Sequence, residues 1–243
     1  MSKEYAVVVG SARGIGKAVY DRLKMKGMNV IGLDLDYENT LNQGDADLRF
    51  KFDVLRYDHR GHLARDFAKH GDKVSSLIYC VGNNKLHWIG DGIGSLAQHI
   101  MDSNVVGIFH MLEALLSYMT DDCRIILYSS IAGEVPMRTT APYCVSKAAV
   151  DMLVKCLARE LAPKPVFCVK PGPTDGDNSW EETIQQICDQ RGWSKEKVIE
   201  MAVNDIPMKK FATEQECAEV TLDLITRAPA HMSGTTIRLT GGR

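Results

Sequence analysis

The sequence predicts an α/β fold: a single Rossmann-type, doubly wound parallel sheet of about seven strands with helices on both faces. Three observations carry the prediction. Short apolar runs alternate with helical stretches, the first run enters a turn of spaced glycines, and the second run ends in an acid. The runs lie at 5–9, 28–33, 48–52, 74–81, 124–128, 165–169 and 235–239. Short apolar runs of this kind suit strands covered on both faces. Between them, 15–26 places Ile15, Val19 and Leu23 at steps of four, 102–119 reads as one long helix with a broad apolar face, and 142–162 keeps Val150, Leu153, Val154, Leu157 and Leu161 in phase. This alternation implies right-handed βαβ units. The segment 36–47 is short and polar, so its crossover helix is expected to shrink to a turn or vanish. Residues 175–204 lack a strand and read as two short helices. Insertions near strand ends tend to be lids or specificity elements. The whole chain, 1–243, is read as one domain with 175–204 as a substrate lid. Gly90, Gly92 and Gly94 follow no strand directly and are read as loop.

Composition removes several function classes. With 45% apolar and 25% charged residues the chain is neither disordered nor fibrous. Lys+Arg 29 against Asp+Glu 31 leaves a formal charge of -2, which argues against nucleic acid or an anionic membrane as partner. No apolar run approaches the roughly 18–20 residues that span a bilayer. The N-terminus enters a strand-like stretch at once, so a secretory leader is not expected. The seven cysteines include no C-x-x-C pair, so neither a metal cluster nor a redox dithiol is signalled. A reducing, cytoplasmic setting is expected.

The first run leads into Gly10-Ser11-Ala12-Arg13-Gly14-Ile15-Gly16, and a helix follows. Gly10 permits a tight exit from the strand, Gly14 lets backbone approach a pyrophosphate, and Gly16 lets the helix pack on the sheet. The helix N-terminus offers N–H groups and partial positive charge to an anion. Asp34, 24 residues beyond Gly10, stands where a dinucleotide fold places its ribose-binding carboxylate. It would accept both adenosine ribose hydroxyls and repel a 2′-phosphate, since like charges at ~4 Å interact by roughly 1–4 kcal/mol. NAD is therefore the expected cofactor. Arg13 pulls the other way, toward a 2′-phosphate.

The fifth run ends at Tyr128-Ser129-Ser130. Tyr143 follows Ser130 by thirteen residues, and Lys147 lies four further on, on the same helix face. A tyrosine titrates near ~10 and is a poor base at neutral pH unless a neighbouring cation favours the phenolate. Tyr143 beside Lys147, with Ser130 to orient a substrate oxygen, makes a proton-transfer site that needs no metal. Y-x-x-x-K alone describes many ordinary helices. Its weight here comes from the serine just past a strand and the phosphate loop upstream.

With these residues in view, the chain resembles the short-chain dehydrogenase/reductase family along nearly its whole length. The likeness rests on the Gly10–Gly14–Ile15–Gly16 spacing, Asp34, Asp53-Val54, Asn104 in Ser103-Asn104-Val105-Val106-Gly107, Ser130, Tyr143-x-x-x-Lys147, and Pro171-Gly172-Pro173-Thr174. The resemblance implies Tyr143 as acid/base, Lys147 as binder of the nicotinamide ribose, Ser130 as substrate orienter and Asn104 as holder of a relay water. It implies Asp53 and Val54 beside the adenine and Pro171, Gly172 and Thr174 at the nicotinamide. Two stretches depart from the family pattern. Tyr79-Cys80-Val81-Gly82 stands where Asn-Asn-Ala-Gly is usual, with Gly82 still counted among the cofactor residues. Val9 replaces a threonine, removing a side-chain hydrogen bond from the loop.

The expected activity is hydride transfer between NAD and a secondary alcohol, such as a cyclic diol, hydroxy acid or sugar. An NADPH-dependent carbonyl reductase and a non-catalytic dinucleotide-binding protein are the alternatives. Candidate substrate-pocket residues are Asn83, Asn84, His87, Trp88, Ile131, Glu134, Met137, Arg138, Trp180 and Trp193. The resemblance also implies a homodimer or homotetramer through the helices at 102–119 and 142–162.

Overall fold

A computed structural model describes residues 3–37, 48–176 and 178–243. The reduced crossover expected at 36–47 falls largely outside the described residues. Seven parallel strands form the main sheet: β1 (Glu4–Val9), β2 (Val30–Asp34), β3 (Leu48–Lys51), β4 (Lys73–Tyr79), β5 (Met119–Tyr128), β6 (Val166–Pro171) and, last in the chain, β9 (Thr236–Leu239). Two further short strands, β7 (Thr174–Asp175) and β8 (Ala212–Thr213), pair only with each other. The main sheet runs β3-β2-β1-β4-β5-β6-β9, every neighbouring pair parallel. The order grows outward from β1 in both directions. The chain therefore reverses between β1 and β4, and the carboxyl ends of those strands part to open a crevice.

Side-chain alternation on β1 divides the core into two layers. Val7 and Val9 face one side, against Leu63 and Phe67 of α2 (Tyr57–His70), Ile108 and Met111 of α4 (Gly107–Leu115), and Val150 and Val154 of α5 (Ala141–Glu160). Ala6 and Val8 face the other, against Val19 and Leu23 of α1 (Gly14–Met25) and Cys217 and Leu222 of α8 (Glu214–Thr226). All four β1 residues are at most 1% exposed. Burying a side chain of valine size contributes about 1.5–3 kcal/mol, so the central strands anchor both layers. No helix among the described residues is long and apolar enough to cross a membrane.

The helix expected at 102–119 is corrected in detail. Helix α3 (Gly94–Met101) begins earlier, a π-helical turn spans Asp102–Val106, α4 follows, a 3-10 turn closes it at Leu116–Tyr118, and Met119 already belongs to β5. Gly94, read as loop, opens α3. The cause is a side chain wedged against the helix. Tyr79, 2% exposed at the end of β4, donates its hydroxyl to the Ser103 carbonyl at 2.6 Å. A Cβ at Gly107 would lie 2.2 Å from that hydroxyl. Inserted groups of this sort produce π turns, which gather at functional sites. Tyr79 is thus the structural answer to the missing asparagines of the resemblance: it ties the β4 end to the helix by another route. The segment 175–204, expected to lack a strand, begins with Asp175 in β7 and then forms two helices, α6 (Asn178–Arg191) and α7 (Lys195–Asn204).

Packing at the start of α1 gives a direct test. A Cβ added at Gly16 would sit 1.8 Å from the Gly10 carbonyl oxygen and 3.2 Å from the Cys80 Cβ. Backbone cannot yield as a flexible side chain does, so Gly16→Ala should destabilise by about 1–3 kcal/mol. Thermal unfolding should show a Tm several degrees lower; an unchanged Tm would contradict the packing described.

Candidate active site

The phosphate end is built from two strand ends and one helix start. Gly10 (φ +82°) and Gly14 (φ +60°) take left-handed backbone that side chains resist. A Cβ at Gly10 would also meet the Val81 amide at 2.9 Å. Asp34 organises this loop. Its carboxylate accepts the Ala12 amide at 2.9 Å and the Asp36 amide at 3.0 Å. Tyr37, which the sequence reading missed, donates its hydroxyl to the Ser11 carbonyl at 2.6 Å and so replaces the hydrogen bond lost with Val9. The N-cap residue Arg13 makes no side-chain hydrogen bond to α1, leaving the first amides of the helix for an anion. Arg13 is paired with Asp36 at 3.7 Å and with Glu182 of α6 at 3.4 Å.

The catalytic end is built where β5 meets α5. Pro142 in the first turn suits a helix start, and Tyr143 and Lys147 follow one turn apart. Lys147 is 3% exposed; its ammonium donates to the Tyr128 carbonyl at 2.9 Å and lies 5.6 Å from the Tyr143 ring centroid. Ser129, another residue not anticipated, donates its hydroxyl to the Lys147 carbonyl at 3.0 Å. Ser130 caps the short turn Ile131–Gly133, its oxygen accepting the Ala132 amide at 3.2 Å. A Cβ at Gly82 would come within 3.4 Å of the Lys147 ammonium nitrogen, so glycine keeps that approach open.

Asn104 sits in the π turn. Its amide donates to the Asn83 carbonyl at 3.1 Å and to the Ser146 hydroxyl at 3.0 Å, and its oxygen accepts the Asn83 amide at 2.7 Å. Ser146 donates onward to the Tyr143 carbonyl at 2.7 Å. The side chain expected to hold a relay water is thus already engaged; it links the loop after β4 to the turn that carries Tyr143.

Two cavities meet at this point. A crevice of about 380 Å³ runs along the strand ends, and every residue assigned above to the cofactor, from Gly10 round to Thr174, lines it. Asp53 holds the corner after β3 by accepting the Leu55 amide at 2.9 Å, with Val54 buried beside it. Thr174 is anchored to the Gly172 carbonyl at 3.1 Å. Ser130, Tyr143 and Lys147 line the same crevice, and Asn104 does not. A second cavity of about 760 Å³ opens on the far side of Ser130 and Tyr143, between the loops after β4 and β5 and the pair α6–α7. Asn84, Trp88, Ile131, Met137, Arg138, Trp180 and Trp193 line it as expected. Asn83 lines the crevice instead. His87 and Glu134 line neither. The His87 ring turns to the Trp88 carbonyl at 2.9 Å.

Glu134 is corrected to a structural role. It joins Lys170, a lysine only 2% exposed on β6, which also donates to Asp151 of α5 at 2.7 Å; Arg238 of β9 completes the cluster on Glu134 at 2.6 Å. Buried charges persist only when paired and hydrogen-bonded. These pairs lock the turn after Ser130 to α5 one helical turn beyond Lys147.

A crevice lined by the glycines after β1 and ending at a tyrosine, serine and lysine is the arrangement a dinucleotide-dependent oxidoreductase would need. A family model for short chain dehydrogenases matches residues 4–186. The chain is 26% identical over 252 residues to the vibriobactin-specific 2,3-dihydro-2,3-dihydroxybenzoate dehydrogenase of Vibrio cholerae, covering 97% of this chain and 94% of that protein. It is 25% identical over 250 residues to glucose 1-dehydrogenase 2 of Bacillus subtilis, covering 98% and 93%. The crystal structure of NAD+-bound xylitol dehydrogenase superposes with a TM-score of 0.88 at 23% identity, over 99% of this chain and 98% of that one. The chain belongs to the short-chain dehydrogenase family, whose members are oxidoreductases that bind nicotinamide dinucleotides.

The Lys170 cluster has a pH signature. The hydrogen bond from Lys170 holds the Glu134 carboxyl below the ordinary glutamate value of 4.5, against the opposing effect of burial and with help from the Lys170 and Arg238 charges. A lowered carboxyl stabilises the fold above the ordinary value, and this stabilisation fades as pH falls through the lowered one. The Tm gap between wild type and Glu134→Gln should therefore be widest near neutrality and close below pH 4.5. A gap independent of pH would contradict the pairing.

Proposed function

We propose that the protein is an NAD-dependent dehydrogenase that oxidises a secondary alcohol, or runs the reverse reduction, with Tyr143 carrying the proton. The observation that carries this reading is the seam between the two cavities. Ser130 and Tyr143 line both, with the buried Lys147 ammonium beneath.

The residues present fit a dinucleotide. Gly10 and Gly16 leave backbone room at the start of α1, where a side chain would collide with the loop. On this reading the first amides of α1, with Gly14 and Ile15, would hold the pyrophosphate, and the Asp34 carboxylate would accept the adenosine ribose hydroxyls. Asp53 and Val54 border the adenine. Gly82, Pro171, Gly172 and Thr174 border the nicotinamide. The choice of NAD rests on charge. Asp34 disfavours a 2′-phosphate, and Arg13, the cation that would favour one, is already answered by Asp36 and Glu182. That pairing weakens the NADPH reading. The presence of Asn104, Ser130, Tyr143 and Lys147 together weakens the non-catalytic one.

When bound, a nicotinamide would supply the hydride acceptor. In the oxidation the Tyr143 phenolate takes the hydroxyl proton as the carbon–hydrogen bond breaks with its electron pair, leaving a ketone and a protonated tyrosine. Lys147 favours the phenolate through its positive charge. Ser130 donates to the substrate oxygen. The segment 175–204 acts as a lid: Asn84 donates to Thr183 at 3.2 Å and the Leu86 amide to Gln186 at 2.8 Å, fastening α6 over the loop after β4. The relatives' names point to cyclic diols and sugars as substrate classes. Phe109 and Leu116 around α4 and Val145 and Met152 on α5 are 40–59% exposed, an apolar face suited to a homodimer or homotetramer. The reduced thiols suit the cytoplasm.

Tyr143→Phe should lower turnover by about 10²–10⁴-fold while leaving the Kd for NAD within about twofold. A variant that still turns over at the wild-type rate would remove Tyr143 from the chemistry. In Asp34→Ala, fluorescence titration should show the ratio of NADP to NAD affinity rising by about tenfold, the scale of ~1.4 kcal/mol of lost repulsion. An unchanged ratio would take Asp34 out of cofactor selection.

A further inference from the structure

We propose that the substrate of this site carries a carboxylate, and that Arg138 receives it. The inference rests on the dehydrogenase reading above and deepens it. Charge in the second cavity is one-sided. Its charged lining residues are Arg138, Arg191, Arg243 and Asp205, and Arg243 is neutralised by Asp205 at 2.7 Å. Arg138 and Arg191 have no acidic partner among the described residues, so the cavity holds two unanswered positive charges in a chain whose formal charge is -2. The Arg191 guanidinium lies over Trp193, 4.7 Å from its ring centroid, and Lys197 adds a further cation over the same ring at 4.5 Å.

Arg138 is the better placed of the two. It stands five residues before Tyr143, on the loop that joins Ser130 to α5. The next residue, Thr139, takes φ +63°, a left-handed conformation that a β-branched residue adopts only under constraint. The constraint is visible: the Thr139 carbonyl accepts the His87 amide at 2.7 Å and its hydroxyl donates to the Arg138 carbonyl at 2.6 Å. Strain held in place this way fixes where Arg138 leaves the loop. Trp180 lines the same cavity. The Trp180 indole nitrogen is buried and without a hydrogen-bond partner among the described residues, and a carboxylate oxygen is the acceptor it lacks. The remaining walls mix apolar Ile187, Val198 and Met201 with polar Asn84, Thr183 and Gln190. At about 760 Å³ the cavity has room for a ring-sized body bearing a single negative charge.

The test compares 3-hydroxycyclohexanecarboxylate with its methyl ester, one ring alcohol with and without charge, using NAD and the full-length protein. The acid should show a kcat/KM at least about tenfold above the ester, the advantage of a charge-assisted hydrogen bond, and the advantage should shrink with added salt. Arg138→Gln should bring the acid-to-ester ratio close to one, and Arg138→Lys should restore part of it. Equal kcat/KM for the two compounds, or a ratio indifferent to Arg138→Gln, would overturn the proposal while leaving the dehydrogenase reading intact. A binding arm separates the two ideas. In the NADH complex, 3-hydroxybenzoate should quench tryptophan fluorescence at lower concentration than 3-hydroxybenzamide. Preferential quenching without oxidation of either alcohol would keep the anion site and sink the dehydrogenase reading. Equal quenching would overturn the anion site.

Discussion

The site depends on a buried ammonium. Lys147 is almost wholly removed from water, and a charge so placed must be hydrogen-bonded or it costs several kcal/mol. Its bond to the Tyr128 carbonyl answers that need, and in doing so pins the start of α5 to the end of β5. Neighbouring residues are arranged around the bond. Gly82 keeps side-chain atoms away from the amine, and the Ser129 hydroxyl holds the carbonyl of the same lysine. Gly133 lies so close to α5 that a Cβ there would fall 2.9 Å from the Lys147 carbonyl carbon. Tyr143, one turn earlier, has its direction set by the same anchor.

The sheet sets this local arrangement beside a crevice. Loops after β1, β2, β4, β5 and β6 all leave at the same edge because the strands are parallel, and the reversal between β1 and β4 separates them enough to admit a ligand. Asn104 and Ser146 carry the coupling across that gap, from the loop after β4 to the backbone of Tyr143. On the opposite side, Lys170 bridges β6 to both Glu134 and Asp151. The catalytic turn is held between one hydrogen-bonded polar link and one cluster of buried charge. Rigid support of this kind is what proton transfer needs, since geometry must be kept within a fraction of an ångström.

Much of this was legible in the sequence, for reasons that can be named. Parallel strands covered on both faces show as apolar runs, and glycines that must stay glycine leave a fixed spacing, so the sheet and the phosphate loop could be read directly. The Tyr143–Lys147 pair could be read because helical geometry puts i and i+4 together. What escaped depended on contacts between distant residues. The π turn exists because Tyr79 presses on residues 24 to 28 positions away, and no local pattern in 102–119 records that. Tyr37 lies beyond the end of β2 in a segment without periodicity, yet it supports Ser11. Glu134 was assigned to the substrate because it follows Ser130 closely; its partner Lys170 sits 36 residues on, in a run that reads as apolar. Helix α2, with Gly61 and many charged residues, shows only Leu63 and Phe67 as its buried face.

The most direct measurement is a crystal structure of the protein with NAD bound. The account requires the adenosine ribose on Asp34 and the nicotinamide ring at the seam between the cavities, its C4 turned toward the space that Ser130 and Tyr143 share. A ring lodged elsewhere, or one whose C4 faces away from the Tyr143 hydroxyl, would contradict it.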